Sequence, residues 1–329
     1  KLWKYETMVV FGDNPTETEI QKYNETLKEL PGYENNLRMH QESVTFSKEG
    51  MNKQTVSLYV PENKDELDKF ILLNDRISGK KYDIPEDGVV INEKLGKLLG
   101  VSIGDTITFK DENNNPHEVK VEEIAENYLM HSMYMSPSYY EKVFGKKAIY
   151  NTDLINFDKS KINEDEISSK LMECKDVVNV TMTSQIEKTT KESAANMNVV
   201  MLVIILSAGS LAFVVLYNLN NINVSERIRE LSTIKVLGFF DDEVTMYILR
   251  ENIILTLLGI LAGSVLGKIL HAFIIRTSET DTMMMYPKIH IASYIFSALI
   301  TILFTVIVMI LMHVKLRKVN MIDALKSNE

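Results

Sequence analysis

The 329 residues contain one cysteine, one tryptophan and seven prolines, and each scarcity removes a class of explanation. With Cys174 alone there is no disulfide framework and no thiolate zinc cluster. No HExxH, GxSxG or Ser-x-x-Lys pattern occurs, and the six histidines are scattered, so neither a metallohydrolase nor a serine nucleophile is encoded in a recognisable form. The expected catalytic residues are none, the expected metal none and the expected cofactor none. Basic charge is also short. Residues 1–196 carry 35 acidic and 25 basic side chains, a net of -10 that disfavours nucleic acid as a partner. The chain opens on Lys1 with neither an initiator Met nor an apolar leader, which reads as a piece of a longer protein preceded by another membrane helix.

What is present in excess is uncharged length. Val199–Leu216 reads VVMLVIILSAGSLAFVVL; Ile291–Met312 is likewise uncharged, and Ile253–Ile275 is as apolar apart from Lys268 and His271. A hydrocarbon layer ~30 Å thick takes roughly 20 such residues in a helix. The expected layout is an extracytoplasmic domain over 1–196, spans over 197–219, 252–276 and 290–313, a cytoplasmic segment over 220–251, an outer loop over 277–289 and a tail over 314–329. Orientation follows from the short-loop basic residues. Arg227, Arg229, Lys235 and Arg250 lie between the first two spans, and Lys315, Arg317, Lys318 and Lys326 follow the third. Both segments are therefore expected in the cytoplasm of a multi-pass plasma-membrane protein, with the acidic domain outside.

In the acidic domain Ile20, Tyr23, Leu27 and Leu30 have helical spacing up to Pro31-Gly32. Strands are expected at 43–46, 55–60, 88–92, 106–110, 118–124, 154–157 and 177–182, with helices at 65–73, 93–99 and 164–172. The sum is an α+β domain followed by an all-α membrane domain of three helices. Tyr128–Met135 and Met283–Met285 are rich in methionine and aromatics; a soft-metal site is one reading, a buried strand or docking surface the other.

The second span carries Gly259, Gly263 and Gly267 on one helical face, which suits tight helix packing, a sliding seam or a dimer contact. Lys268 and His271 fall in its outer third, where a lysine stem extends toward headgroups; an ion pathway is the other reading. The phosphate-loop likeness of Gly263-SVL-Gly267-Lys268 is one residue short and lacks the Ser/Thr after lysine. Between the first two spans, Asn223 or Ser225 is expected to cap a helix whose Val224, Ile228, Leu231 and Ile234 form a stripe and which Gly238 ends. An amphipathic helix on the inner leaflet accounts for this pattern on physics alone.

Resemblance adds to that reading. The run SERIRELSTIKVLGF, the following Arg250-Glu251-Asn252 entry and the tail Met321–Lys326 resemble the FtsX-like permease family, the MacB-type membrane subunits of ABC transport systems. GVVINEKLGKLLGVSIGDTITF and YMSPSYYEKVFG resemble the MacB-type periplasmic core domain. The resemblance implies a non-enzymatic permease subunit that transmits the motion of a separate ATP-binding subunit to the outer domain, for export or extraction of a peptide, lipid or lipoprotein, or for mechanical work outside. It implies an ABC ATPase partner met by Glu226, Arg227, Arg229, Glu230, Lys235 and Gly238, together with membrane lipid and a second permease unit or homodimer. An extracellular protein is a further possible partner. The alternative is a ligand-sensing receptor that acts through a partner.

Overall fold

A computed structural model of the protein describes residues 2–12, 16–48, 50–285 and 288–317. In chain order the elements are β1 (Thr7–Phe11), α1 (Glu17–Glu29), β2 (Tyr33–Phe46), β3 (Gln54–Pro61), β4 (Val89–Asn92), α2 (Glu93–Leu99), β5 (Thr106–Lys110), β6 (Pro116–Ala125), β7 (His131–Met135) and α3 (Pro137–Phe144). There follow β8 (Thr152–Phe157), α4 (Glu164–Met172), β9 (Val177–Met182), α5 (Thr183–Glu226), α6 (Ile228–Val236), α7 (Asp241–Ser278) and α8 (Ile291–Arg317). They form two compact units. The first is Lys1–Glu192 with Glu279–Met285; the second is Ser193–Ser278 with Tyr286–Glu329. The sequence places the end of the outer domain at 196 and gives residues 277–289 to a loop. The chain itself ends the first unit at 192 and adds seven residues of that loop to it.

The first unit is α+β. Its strands run in the order β3-β7-β4-β6-β5-β2-β8-β1-β9, and β2 also pairs with β3. Two lobes emerge from this order. β1, α1, β2, β8, α4 and β9 make a split βαββαβ unit with strand order β9-β1-β8-β2. The stretch from the middle of β2 to the start of β8 is inserted into it and closes β2, β3, β7, β4, β6 and β5 into a ring. β2 belongs to both lobes. Its first half pairs with β8, ending at Met39 opposite Thr152, and its second half pairs with β3 from Met39 opposite Pro61 to Phe46 opposite Gln54.

Period-2 patterning explains the cores. In β4 Val89 and Ile91 enter the core of the inserted ring while Val90 faces a second core; in β7 Met133 and Met135 do the same and Tyr134 turns the other way. Tyr23 and Leu27 of α1 meet Ile167 and Leu171 of α4 over β1 and β8 in a third core. α1 starts where Thr16 accepts from the Glu19 N–H and the Glu19 carboxylate accepts from the Thr16 N–H at 3.1 Å, a reciprocal cap. Gly88 precedes β4 with φ of 131°, and a Cβ there would lie 2.9 Å from the Lys120 carbonyl oxygen and 2.4 Å from the Glu122 side chain. Only glycine fits.

Local differences from the sequence reading have local causes. β2 begins ten residues before the expected strand, because Tyr33, Asn35 and Asn36 pair along β8, with the register shifted at Glu34. The expected helix at 65–73 is a 3-10 turn at Lys64–Lys69, ended at Phe70 and Ile71, which are buried in the second core.

In the second unit α5, α7 and α8 each contain a stretch long and apolar enough to cross a membrane: Thr183–Glu226, Arg250–Ser278 and Ile291–Val314. Small and polar residues help to join these helices. A Cβ on Gly209 of α5 would lie 2.8 Å from the Phe304 ring of α8. Thr256 of α7 and Thr305 of α8 are 3.4 Å apart through their hydroxyls, and the Asn252 amide donates to Asn220.

Candidate coupling site

The segment that joins α5 to α7 is built by two helix breaks. α5 does not stop at Asn223 or Ser225. It runs to Glu226, and the Ser225 hydroxyl donates to the Asn221 carbonyl 2.8 Å away. Both residues are therefore helix interior, and the expected N-cap is replaced by a break at Arg227, after which α6 begins at Ile228. A serine that bonds back four residues satisfies itself inside a helix and leaves nothing to cap with. The second break is Gly238, at φ of 98°, in the turn between α6 and α7. At the start of α7 the Glu243 carboxylate accepts from the Phe240 N–H at 2.9 Å.

The apolar stripe crosses the break, from Val224 at the end of α5 to Leu231 and Ile234 of α6. Val224 and Leu231 are buried with Val244, Val308 and Met312, and Ile234 packs against them. That small core fixes which face of α6 points away. Of the charged candidates, Glu226, Arg229 and Glu230 are exposed. Arg227 is half-buried, and its guanidinium contacts the Glu251 carboxylate of α7 at 3.2 Å. Lys235 lies in α6, but its side chain is outside the described residues. The tail from 318 onward, with Met321–Lys326, is also outside them.

The structure adds residues that charge-based reasoning passed over. Val236, Leu237, Phe239 and Phe240 surround Gly238 and are exposed, Leu237 by 74% and Phe240 by 76%. Four large apolar side chains at the C-terminal end of α6 and exposed Glu226, Arg229 and Glu230 at its N-terminal end give the segment a mixed surface. The signal was in the sequence as VLGFF, an apolar run around a glycine too short to be a span.

Gly259, Gly263 and Gly267 of α7 are open. A Cβ at any of them would meet nothing within 4 Å, so within the described residues the stripe carries no packed neighbour.

Two features of the first unit complete the survey. A cavity of about 590 Å³ is lined by Trp3, Leu72, Tyr128, Leu129 and Ile186, with Glu126 and Lys191 among its polar groups. Asp153 of β8 is fully buried. Its carboxylate accepts from Asn36 at 2.9 Å and Tyr23 at 3.0 Å. Burial pushes it up to about 6, against the downward pull of Asn36, Arg38 and Tyr23. Among the described residues no group of three or more His, Cys, Asp or Glu side chains is placed to hold a metal ion. The methionine-rich segments of the sequence do meet: Leu129 and Met283 form a β-bridge.

No curated protein matches the chain. Among solved structures it is similar to the periplasmic region of MacB from Actinobacillus actinomycetemcomitans, at 12% identity and a TM-score of 0.34, over 57% of this chain and 94% of that one. It is similar also to the extracellular domain of the ABC-type transporter YknZ from Gram-positive bacteria, at 17% identity and a TM-score of 0.31, over 50% of this chain and 88% of that one. The model of the FtsX-like permease C-terminal domain matches residues 200–321, which hold the apolar part of α5, the two breaks around α6, and α7 and α8. Over this stretch the chain is similar to the C-terminal domain of the FtsX-like permeases.

Proposed function

We propose that the protein is the permease subunit of an ABC-type system and that it conveys the motion of a separate ATP-binding subunit to its own outer unit. ATP belongs to that partner, and the chain itself needs no cofactor. The observation that carries the reading is the surface made by Glu226, Arg229 and Glu230 with Val236, Leu237, Phe239 and Phe240, set between the first two spans of a matched permease domain. An exposed apolar centre with charged neighbours suits docking onto another protein better than open water. The basic residues of this segment support a cytoplasmic position, where ATP is available. The first unit is then outside, and export or extraction of a peptide, lipid or lipoprotein, or mechanical work, takes place there. Membrane lipid surrounds the spans, and the open glycine stripe suits a second permease unit or a second copy of the chain.

The test is ATP hydrolysis by the cognate ATPase reconstituted with the permease in nanodiscs. Arg229→Glu is expected to remove the permease-dependent part of the activity and leave the fold intact. Arg227→Glu is expected to remove it by breaking the contact to Glu251, and Glu251→Arg in the same chain is expected to restore it. Unchanged stimulation in the Arg229 variant would take α6 out of the interface.

The cavity beside Trp3 supports a second reading, in which the outer unit senses an apolar ligand and reports it through the same coupling segment.

A further inference from the structure

The cavity of about 590 Å³ beside Trp3 lies wholly within the first unit, and its size is that of a small-ligand pocket. The polar groups around it are occupied with the protein itself. The Glu126 carboxylate accepts from the Asn74 amide at 2.8 Å and from the Tyr128 hydroxyl, and the Asn127 amide donates to Ser132 at 3.2 Å. On α5 the Thr183 hydroxyl donates to the Tyr5 carbonyl at 2.8 Å and the Thr190 hydroxyl to the Ile186 carbonyl at 2.7 Å. The apolar lining is Leu2, Trp3, Leu72, Leu129 and Ile186, each half-buried. Water gains few hydrogen bonds against such walls.

Two of the walls continue into lipid. α5 is unbroken from Lys191 to Val199, about two helical turns on, where its uncharged run begins. Between Thr183 and Asn196 this helix reads TSQIEKTTKESAAN, and its one large apolar residue, Ile186, is the one that lines the cavity. Leu129 bridges to Met283, which follows closely on Ser278, the last residue of the second apolar helix. An apolar space bordered by two segments that enter a membrane has lipid as its nearest apolar solute. A flexible chain fills it one methylene at a time, each worth up to about fourfold in affinity.

We propose, resting on the reading that this cavity takes an apolar ligand, that the ligand is one alkyl chain of a lipid from the adjoining leaflet. The chain lies against Trp3, Leu129 and Ile186, and the head group stays outside. Contact with Ile186 and Thr190 then falls on α5, the helix that runs on to Glu226 and the coupling segment.

Trp3 is the only tryptophan in the chain, so its emission reports on the cavity. The experiment places the full chain in vesicles of phosphatidylcholine brominated along one acyl chain and compares Trp3 emission with that in unbrominated vesicles. The unaltered chain is expected to be quenched. Thr190→Phe, which fills the cavity from α5, is expected to recover most of the emission. Lys188→Phe, at an exposed position that does not line the cavity, is expected to leave the quenching as it was. In unbrominated vesicles, added ω-bromoalkanoates are expected to quench saturably, up to about fourfold more tightly for each methylene. Thr190→Phe is expected to weaken that binding by about tenfold. If Thr190→Phe loses its unfolding transition, Ile186→Glu takes its place with the same expectations. Lipid quenching that survives in the folded variant overturns the proposal, because bromine then reaches Trp3 from outside the cavity. Quenching by bromoalkanoates without quenching by lipid overturns it too, and leaves the apolar-ligand reading standing. Failure of both probes overturns the two together.

Discussion

The two units bury their hydrophobic residues by opposite rules. In the first, Val9, Leu58, Ile91 and Tyr140 are wholly hidden, and an apolar side chain is a statement about the core. In the second, Leu206, Leu261, Leu266 and Ile295 are more than half exposed within the chain. Water drives the first arrangement, while lipid is as apolar as leucine and drives nothing between helices. The lesson is one of reading. In the outer unit the pattern of apolar residues locates contacts, whereas in the membrane unit the exceptions do: Gly209 against Phe304, Asn220 with Asn252, Thr256 with Thr305.

The sharpest break of that contrast uses one substitution in each unit. Gly88→Ala places a Cβ against the Lys120 carbonyl at a φ that alanine avoids, and is expected to cost the outer unit about 3 kcal/mol. Gly263→Ala adds the same methyl where nothing lies within 4 Å and is expected to leave stability unchanged. Hydrogen exchange of the full chain in nanodiscs reads both; equal losses of protection would erase the distinction. A dimerising stripe would show instead as a changed mass of the Gly263→Leu particle.

A smaller effect is expected from Gly209→Leu, which forces the Phe304 ring aside at a cost of about 1–3 kcal/mol to the contact of α5 with α8. Ala208 and Ser297 line the cleft of these two helices. Cysteines at both, in a chain with Cys174→Ser, are expected to be bridged by a short bifunctional thiol reagent, and the added Gly209→Leu to lower the yield. An unchanged yield would remove Gly209 from the contact.

The smallest effect belongs to acid. Asp153 is raised from 3.8 to about 6, so the folded chain holds its proton more tightly, and this stability is present below about pH 4 and lost as pH rises through 6. His131 is buried and lowered from 6.5, chiefly by burial, so the unfolded chain takes up that proton first and stability is lost as pH falls below 6.5. The two slopes, each at most about 1.4 kcal/mol per pH unit, have opposite signs and offset each other where they overlap below pH 6. Asp153→Asn is expected to expose the His131 slope as a fall in melting temperature on acidification. A flat profile in that variant would deny His131 its part.

Much of the outer fold was legible because its signals are local. Glu164–Met172 and Val177–Met182 are where periodicity places them, and Glu93–Leu99 ends at Gly100 as read. What escaped depends on partners far along the chain. The polar Glu34–Asn36 joins β2 only because β8 lies beside it, and Thr7–Phe11 became β1 through β8 and β9. In the coupling segment the apolar stripe and Gly238 were legible, while the break at Arg227 was not, since Asn223 and Ser225 look like caps until the helix before them is seen to continue. The link of Glu279–Met285 to β7's approach was visible only as two methionine clusters with no rule to join them.

The chain leaves the split βαββαβ lobe just after Met39 and returns at Thr152, its opposite neighbour. The Gln41 N–H donates to the Asn151 side chain at 2.8 Å, and the Asn151 amide donates back to the Gln41 carbonyl at 2.8 Å, so departure and return are fastened to each other. The inserted lobe is therefore a graft on a hairpin whose ends meet. A two-residue turn closes such a gap in an ordinary hairpin, and a lobe of another size fits there without changing a residue of the strands that hold it. The outer unit is thus a fixed handle with an exchangeable head.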